Sequence, residues 1–290
     1  MTRDASMARA LWRRLEAIHA VTYFSPEPVS ALAAAGYRGY WMGYFAQRAA
    51  PLGAVGPELV SATFYNFSPW RVAKAVPDAW TYAPPEVALE ARAAGSTAAL
   101  RRAFDGVDIE SELATAAELA GRAARSAPLD GRPLFAANAA LRWPEDPLGT
   151  LWHAATLLRE HRGDGHVATL IAAGVAGREA HVLQVASGAT TRDVMTVARD
   201  YDDAEWRKVT EGLAERGLLT RDGKLTAEGR ALKDDVEERT DRIALGAFAT
   251  LGDGELDEFL AALTPLARAV VATGDLPDVM PMGLNLDEKL

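Results

Sequence analysis

Residues 214–230 read AERGLLTRDGKLTAEGR, and this short run predicts a helix, a tight turn and a second helix. Gly217 follows a charged helical run and is typical of a helix C-terminus. Asp222-Gly223 is a residue pair favoured in two-residue β-hairpin turns. Thr226, followed closely by Glu228, is typical of an N-cap with an acid in the first turn of its helix. The order helix, β-hairpin, helix indicates a winged helix with its wing at residues 218–225.

The composition is that of a globular chain with no general attraction to nucleic acid. The 290 residues are 49% hydrophobic, which is enough for one large core or two smaller ones. The net charge of −9 opposes nonspecific binding to nucleic acid, although a local basic patch remains compatible with it. Cysteine is absent, which excludes disulfides, thiolate metal sites and cysteine nucleophiles. We expect a cytoplasmic protein without a membrane partner, because no apolar run spans a membrane and the first residues lack a signal-peptide core.

The two halves of the chain resemble each other. Residues 29–39 align with residues 167–177, and six of the eleven positions are identical. The register extends to tryptophan pairs, Trp12 with Trp152 and Trp70 with Trp206. This predicts a tandem repeat with a first, degenerate unit at 1–143 and a second unit at 144–290. The alternative is two unrelated helical segments that share glycines at helix ends.

Periodicity and breaker residues predict a mainly α protein in which both repeats follow one plan. The second repeat is expected to have helices at 149–162, 165–174, 177–188, 190–200, 203–216, 226–249 and 254–272. The glycines within residues 162–165 predict a loop between the first two of these helices. In the first repeat the wing is expected to be reduced to residues 78–82. The predicted fold class is therefore a tandem duplicated winged helix with small β-wing hairpins.

Two resemblances extend this interpretation. Four segments resemble the end of a MarR-type regulator. They are Leu213–Leu218, the Asp222-Gly223 turn, Leu225-Thr226-x-x-Gly229 and Glu237–Asp241. The resemblance implies a recognition helix, a wing and a dimerisation helix, and an effector pocket where the winged helices meet the dimerisation lobe. Fusion of two such units would form a pseudo-dimer within one chain, and further oligomerisation is left open. The whole chain also resembles a group of actinobacterial winged-helix proteins, on segments such as 40–53, 131–138 and 158–166, which implies a family but no activity.

Basic residues on the predicted reading elements are candidates for contact with double-stranded DNA. These candidates are Arg71, Lys74, Arg207, Lys208, Arg221 and Lys224. Three acids, Asp202, Asp203 and Glu205, begin the predicted recognition helix and would repel phosphates. An ordinary solvated helix face explains the same charges.

Aromatic residues are concentrated in the first half and suggest a pocket for a small hydrophobic or aromatic molecule. The candidate residues there are Tyr37, Trp41, Tyr44, Phe45, Phe64 and Tyr65, with Arg48 added for recognition of an anion. Several of these rings recur at helical spacing, so packing in the core is the alternative.

Histidines are concentrated in the second half, where His153, His161 and His166 are candidate ligand contacts. The alternative is a polar network of Arg159, Glu160, His161, Arg162 and Asp164 that braces a helix end. No metal site is expected because no two histidines have helical ligand spacing, and no cofactor motif is found.

These observations lead to two hypotheses about function. The first is a winged-helix protein that binds a small molecule and acts as a ligand-responsive transcriptional regulator or sensor. The second is a winged-helix scaffold that has lost DNA binding and serves as an enzyme or ligand-binding protein in specialised metabolism. Whether any reaction is catalysed is left open, and no catalytic residue is assigned.

Overall fold

The computed structural model describes residues 4–284, and within that range it contains fifteen α-helices, two short 3-10 turns and no β-strand. The helices are α1 (Ala5–Phe24), α2 (Pro26–Ala34), α3 (Gly39–Ala49), α4 (Pro57–Phe64), α5 (Pro69–Ala73), α6 (Ala79–Tyr82), α7 (Pro85–Ala103), α8 (Glu110–Ser126), α9 (Pro133–Ala139), α10 (Pro147–Ala172), α11 (Gly177–Ala186), α12 (Arg192–Arg199), α13 (Asp203–Glu215), α14 (Ala227–Ala244) and α15 (Asp253–Ala272). The mainly helical class is confirmed. No helix of the described residues is long and apolar enough to cross a membrane.

Helix α10 is the centre of the molecule, and α1, α7, α8, α9 and α14 pack against it. Asp146 caps its N-terminus by accepting a hydrogen bond from the amide of Gly149 (2.9 Å), and Pro147 occupies the first helical turn. Leu151 and Leu157 are fully buried in a core shared with α1, α8 and α15. The core thus combines elements from both halves of the sequence. The repeat, and its boundary between residues 143 and 144, stay predictions.

A second core, on α3 to α5, consists mainly of aromatic rings. The Phe45 ring lies 6.1 Å from that of Phe64 and 5.1 Å from that of Phe67, measured between centroids. Tyr44 and Trp41 extend the same cluster, and Leu134 of α9 closes it on one side. Such edge-to-face and offset contacts fix the orientation of each ring. This cluster forms a rigid wall for the site described below.

Helices α11, α12 and α13 form a compact unit near the end of α10. Leu213 of α13 is fully buried with Val182 and Leu183 of α11. Only residues 200–202 separate α12 from α13, and Asp200 has left-handed backbone angles (φ 59°, ψ 57°) that turn the chain sharply. The Arg178 side chain donates hydrogen bonds to the carbonyls of Arg199 (2.6 Å) and Asp200 (3.1 Å) and braces that turn. Two helices joined by a three-residue turn are the arrangement of a helix-turn-helix.

The predicted β-wing at 218–225 is wrong, because these residues form no strand and contain only an isolated antiparallel bridge between Leu219 and Leu225. The two arms between α13 and α14 are too short to form paired strands. Gly217 ends the last turn of α13, and Thr226 already caps α14 through the amide of Gly229 (3.0 Å), so each arm has two residues. The turn also differs from the prediction. The amide of Gly223 donates to the carbonyl of Thr220 (2.9 Å), and only Gly223 has positive φ, so this is a longer loop than a two-residue Asp222-Gly223 turn.

The reduced wing predicted at residues 78–82 is also wrong, since this segment contains the one-turn helix α6. The amide of Thr81 donates to the carbonyl of Asp78 (2.9 Å), and the Trp80 indole donates to the carbonyl of Val55 (2.9 Å). These bonds hold the segment in a compact turn, α6 also packs against α3, and no extended arm is left. The fold is therefore helical throughout the described residues, without β-wing hairpins.

A third correction concerns residues 162–165, which were expected to form a loop and instead continue α10 without a break. The glycines allow close approach to the helix. A Cβ on Gly165 would lie 2.6 Å from Nη1 of Arg132, which donates to the carbonyl of His161 (2.5 Å). Gly163 faces the cavity described next. Glycine in a helix interior costs about 0.5–1 kcal/mol, and here it provides space for a guanidinium and for the cavity.

Candidate functional site

A cavity of about 240 Å³ lies where α1, α3, α10, α12 and α14 converge. Phe64, Phe67 and Trp12 supply aromatic walls, and Gly163 of α10 leaves part of one wall without a side chain. The space is somewhat smaller than that of drug-sized ligand pockets, which measure 300–1,000 Å³. It is larger than a 150 Å³ cavity that accepts benzene. A single-ring molecule with one small substituent fits this volume.

The cavity is polar and cationic, in contrast to the acidic chain around it. Six cationic side chains and four carboxyl side chains line it, namely Arg9, Arg48, Arg159, Arg162, Arg199 and Lys233 with Glu16, Glu160, Asp164 and Glu237. The whole chain carries a net charge of −9. An excess of cations in a partly enclosed space of lower dielectric constant attracts anions more strongly than the same groups would in water.

Three of these arginines, Arg48, Arg159 and Arg199, form the inner cluster. The guanidinium carbon of Arg48 lies 4.2 Å from the ring centroid of Phe64, and that of Arg199 lies 4.3 Å from the ring centroid of Phe67. Stacking on aromatic faces holds both guanidinium planes in place. The rings come from the first half of the chain, whereas Arg199 ends α12 in the second half. The inner cluster thus joins the aromatic core to the helix-turn-helix.

Glu160 neutralises part of the inner cluster. Its Oε1 lies 2.7 Å from Nη1 of Arg159 and 3.5 Å from Nε of Arg48. Burial by itself would raise the pKa of Glu160, and the two guanidinium groups outweigh that effect and lower it to about 2. Glu160 is therefore ionised at neutral pH. Its Oε2 is buried and accepts no hydrogen bond within the described part of the chain.

Within residues 4–284, no carboxylate neutralises the charge of Arg199 as Glu160 does for Arg48 and Arg159. Nη1 of Arg199 donates to the carbonyl of Ala198 (3.1 Å), and no carboxylate of residues 4–284 forms an ion pair with it. Burial, together with the positive charges of Arg48 and Arg159, lowers the pKa of Arg199 to about 10. Its buried Nε also lacks a hydrogen-bond partner in this range. A charged group without a counter-ion in such a place is costly for the empty protein.

The other end of the cavity, in contrast, is fully paired. Arg9 donates to Asp241 (2.8 Å) and Glu237 (2.9 Å), and Nη2 of Arg162 donates to Asp241 (2.7 Å). Lys233 donates to Glu237 (2.6 Å). Burial would raise the pKa of Glu237, but the surrounding cations lower it to about 2. These ion pairs connect α1, α10 and α14, and each of the three cations there has a carboxylate partner.

Asp164 and His166 add titratable groups to the cavity wall. Burial raises the pKa of Asp164 to about 6, although the amide of Phe135 donates to its carboxylate (2.9 Å) and partly offsets that effect. Burial lowers the pKa of His166 to about 4, and its Nδ1 shares a hydrogen bond with the Thr240 hydroxyl (2.9 Å). At neutral pH His166 is neutral and Asp164 is mostly ionised.

The outer face of α13 is the second candidate surface. Arg207 and Lys208 are exposed on it. The acids before them are partly occupied, since Glu205 accepts two hydrogen bonds from Arg178 (2.6 and 2.7 Å) and Asp203 pairs with Arg192 (2.5 Å). The first turn of α13 therefore presents less free negative charge than the sequence suggests.

A sequence profile described as a helix-turn-helix family matches residues 8–277, nearly the whole chain. The chain belongs to this helix-turn-helix family. No curated protein and no solved structure matches it. Proteins built on a helix-turn-helix typically place the second helix of the motif in the major groove of DNA, with its N-terminal residues nearest the bases. In this helix-turn-helix protein α13 is the second helix of the α12–α13 pair.

The structure brings three of the predicted ligand contacts to the cavity, namely Arg48, Phe64 and His166. Tyr44 lies directly behind them, and its hydroxyl accepts a hydrogen bond from Arg48 (3.4 Å). Phe45 is completely buried in the aromatic core, and Trp41 lies beneath the Arg71 guanidinium, 4.3 Å from it. These two rings support the cavity wall from behind.

The other predicted ligand contacts lie elsewhere in this helix-turn-helix protein. The Tyr37 hydroxyl donates to the carbonyl of Ala83 (3.2 Å), and the Tyr65 hydroxyl donates to the carbonyl of Val175 (2.6 Å). His153 packs edge-on against Trp143 and His161 against Phe135, with centroid distances of 4.7 and 5.1 Å. Burial lowers the pKa of His153 to about 4 and that of His161, which also lies near Arg132, to about 3.

Some of the predicted DNA contacts already form ion pairs within the protein, and the others are exposed to solvent. Arg71 pairs with Asp200 (2.8 Å), and Lys224 pairs with Asp222 (2.6 Å). Lys74 is exposed and lies over the Trp70 ring, 4.6 Å from its centroid. Arg207, Lys208 and Arg221 are exposed, and Arg207 and Arg221 line a surface groove with Trp206. The available charge is thus concentrated on α13 and the turn that follows it.

Sequence reasoning missed Arg199, Arg9, Trp12 and Glu16 as cavity residues. Arg159, Glu160, Arg162 and Asp164 were predicted to brace a helix end, and they instead face the cavity from the middle of α10. The one available signal was their dense charge pattern within a helix that is otherwise apolar. Arg199 had no local signal, because its environment is formed by α3 and α4, far away in the sequence.

Proposed function

We propose that this protein is a DNA-binding regulator whose affinity for DNA depends on a small molecule held in the cavity. Membership of a helix-turn-helix family supports the DNA-binding part. The exposed Arg207 and Lys208 on the outer face of α13 supply positive charge where the second helix of such a motif meets DNA.

One observation carries the regulatory part. Arg199 lines the cavity and is also the last residue of α12, directly before the turn into α13. A ligand that moves or fixes the Arg199 guanidinium therefore acts on the turn that sets the position of α13. Ligand control of DNA binding requires that the ligand contact the conformation that binds DNA and the conformation that does not bind it differently.

The test is binding of the full chain to a labelled duplex from the region upstream of its own gene, measured by fluorescence anisotropy. We expect affinity to fall steeply as salt rises, because phosphate contacts release counter-ions. The double variant Arg207→Ala, Lys208→Ala should bind at least about tenfold more weakly and show a shallower salt dependence.

The matched control removes the same charge from α14 through Arg239→Ala and Arg242→Ala, two exposed side chains that pair with acids on their own helix. This control should bind DNA like the unaltered protein. Equal losses in both double variants would mean that net charge, and not the α13 face, governs binding. No binding of the unaltered protein even at low salt would exclude the proposed function.

A second candidate function is a scaffold that has lost DNA binding and serves as an enzyme or ligand carrier. Asp164 favours it, because a cavity carboxyl with a pKa near 6 is suited to proton transfer at physiological pH. The exposed Asp203 at the start of α13 also counts against groove binding. This candidate predicts tight ligand binding with no affinity for duplex DNA, which the same anisotropy experiment detects.

A further inference from the structure

We propose that the inner cluster of Arg48, Arg159 and Arg199 is a binding site for a small organic acid with a single carboxylate, and that Arg199 is the residue that detects it. The assignment of the site stands on the cavity alone. Its consequence for DNA rests on the proposed function.

The charge of the side chains around the cavity sets the number of negative charges expected on the ligand. Arg48 and Arg159 share the carboxylate of Glu160, and Nε of Arg159 also lies 3.5 Å from Glu16. Counted over the cavity and Asp241, which pairs with Arg9 and Arg162, six cations face five carboxylates, and Arg199 is the cation that forms no ion pair within residues 4–284. One added carboxylate balances the charge of the cavity. A second negative charge would lie next to Glu160, whose Oε2 is already buried without a donor.

The geometry favours a planar anion. Arg48 and Arg199 are held against the Phe64 and Phe67 rings, so their remaining N–H groups point along fixed directions. Guanidinium groups bind carboxylates through two parallel hydrogen bonds, and a fixed plane lowers the entropy lost on binding. A bound carboxylate also neutralises the charge of Arg199, which makes the free energy of binding more favourable.

The rest of the ligand is limited by volume and by the walls. A cavity of about 240 Å³ accommodates one ring with a carboxylate, and Leu134, Val167 and Leu170 provide apolar surface for it. Gly163 adds no side chain to this part of the wall, and a Cβ there would lie 3.7 Å from Oε2 of Glu160, so the glycine leaves space beside that carboxylate. The ion-paired groups at the far end, such as Arg162 and Glu237, limit its length.

Benzoate is the probe, and its neutral analogue benzamide and the dianion phenyl phosphate are the matched comparisons. Isothermal titration and quenching of tryptophan fluorescence measure binding to the full chain in the absence of DNA. We expect benzoate to bind at least tenfold more tightly than either comparison compound. Equal affinity for benzoate and benzamide would overturn the proposal, and tighter binding of phenyl phosphate would overturn the assignment of a single charge.

The variant Arg199→Gln should weaken benzoate binding about 10- to 100-fold, as expected for loss of a charged hydrogen-bonding partner. Arg199→Lys restores the charge without the planar fork and should recover part of the affinity. Arg239→Gln, on the exposed side of α14, is the control and should bind benzoate normally. A purely structural role for Arg199 would instead lower thermal stability in Arg199→Gln and leave benzoate affinity unchanged in the folded fraction.

Failure of this proposal is distinguishable from failure of the proposed function. If benzoate binds through Arg199 but the protein does not bind DNA, the proposed binding site is supported and the proposed regulatory role is rejected. If the protein binds DNA and benzoate binds no better than benzamide, the proposed ligand class is wrong and the DNA-binding role stands.

Discussion

The Arg199 guanidinium lies over the Phe67 ring, with its central carbon 4.3 Å from the ring centroid. This contact joins the last residue of α12 to the aromatic core formed by α3 to α5. The next residue, Asp200, pairs with Arg71 (2.8 Å) and connects the same turn to the first half of the chain. The helix-turn-helix is thus held at the cavity by two side-chain contacts on consecutive residues. Arg199 therefore belongs both to the cavity wall and to the end of α12.

The uncompensated charge of Arg199 predicts that the empty protein becomes more stable when this charge is removed. Arg199→Met keeps a flexible side chain that packs well on Phe67 and removes a half-buried cation that has no ion-pair partner within residues 4–284. We expect the free energy of unfolding in urea to rise by about 2 kcal/mol at neutral pH. Arg239→Met is the exposed control, with an expected change within about 0.5 kcal/mol. A loss of stability in Arg199→Met would show that the guanidinium already has a stabilising partner.

Asp164 predicts a specific dependence of stability on pH. Its pKa is raised to about 6 in the folded state, above the ordinary value of 3.8, so the folded state holds a proton that the unfolded chain releases first. Between pH 4 and pH 6 this group therefore makes stability fall as pH rises, and above pH 6 its contribution is constant.

Asp164→Asn retains an acceptor for the amide of Phe135 and abolishes the ionisation. We expect the variant to be more stable than the unaltered protein by about 2 kcal/mol at pH 8 and by little at pH 4. Urea unfolding at both pH values measures the difference. Equal gains at the two pH values would contradict a raised pKa for Asp164.

Two glycines test the account of why the wing is absent. A Cβ on Gly229 would lie 2.0 Å from the carbonyl oxygen of Leu218, where α14 passes under the short arm, whereas one on Gly212 of α13 would meet no atom within 4 Å. Gly229→Ala should lower the free energy of unfolding by at least about 1–3 kcal/mol, as overpacking does. Gly212→Ala should raise it by about 0.5–1 kcal/mol, since alanine favours a helix. Chemical denaturation of both variants checks the pair, and a tolerated Gly229→Ala would mean that α14 can shift away from the arm.

The helical parts of the fold were predictable because their signals are local. Helix α13 and the start of α14 were marked by Gly217 and Thr226, and both ends lie where the sequence placed them. The wing failed because arm length depends on how closely α14 follows α13, which the Asp222-Gly223 pair does not encode. Gly163 and Gly165 were interpreted as loop residues, since nothing local reveals the neighbouring Arg132 or the cavity.

The candidate site was predictable only in part, and for the same reason. Arg48, Phe64 and His166 were singled out from clusters of one residue type. Arg199 and Glu16 each stand alone in the sequence, and their importance arises from charges and rings on other helices. The pairing of Glu205 with Arg178 and of Asp203 with Arg192 was also not predictable, because it depends on the packing of α11 and α12.

The most direct test of coupling between cavity and helix-turn-helix is the dissociation constant for the upstream duplex, measured by anisotropy with and without saturating benzoate. Arg199→Met is measured beside the unaltered protein. We predict that benzoate changes the constant at least fivefold in the unaltered protein, the lower end of typical allosteric coupling. In Arg199→Met it should leave the constant unchanged. An identical dissociation constant with and without benzoate in the unaltered protein, once benzoate is shown to be bound, would contradict the account.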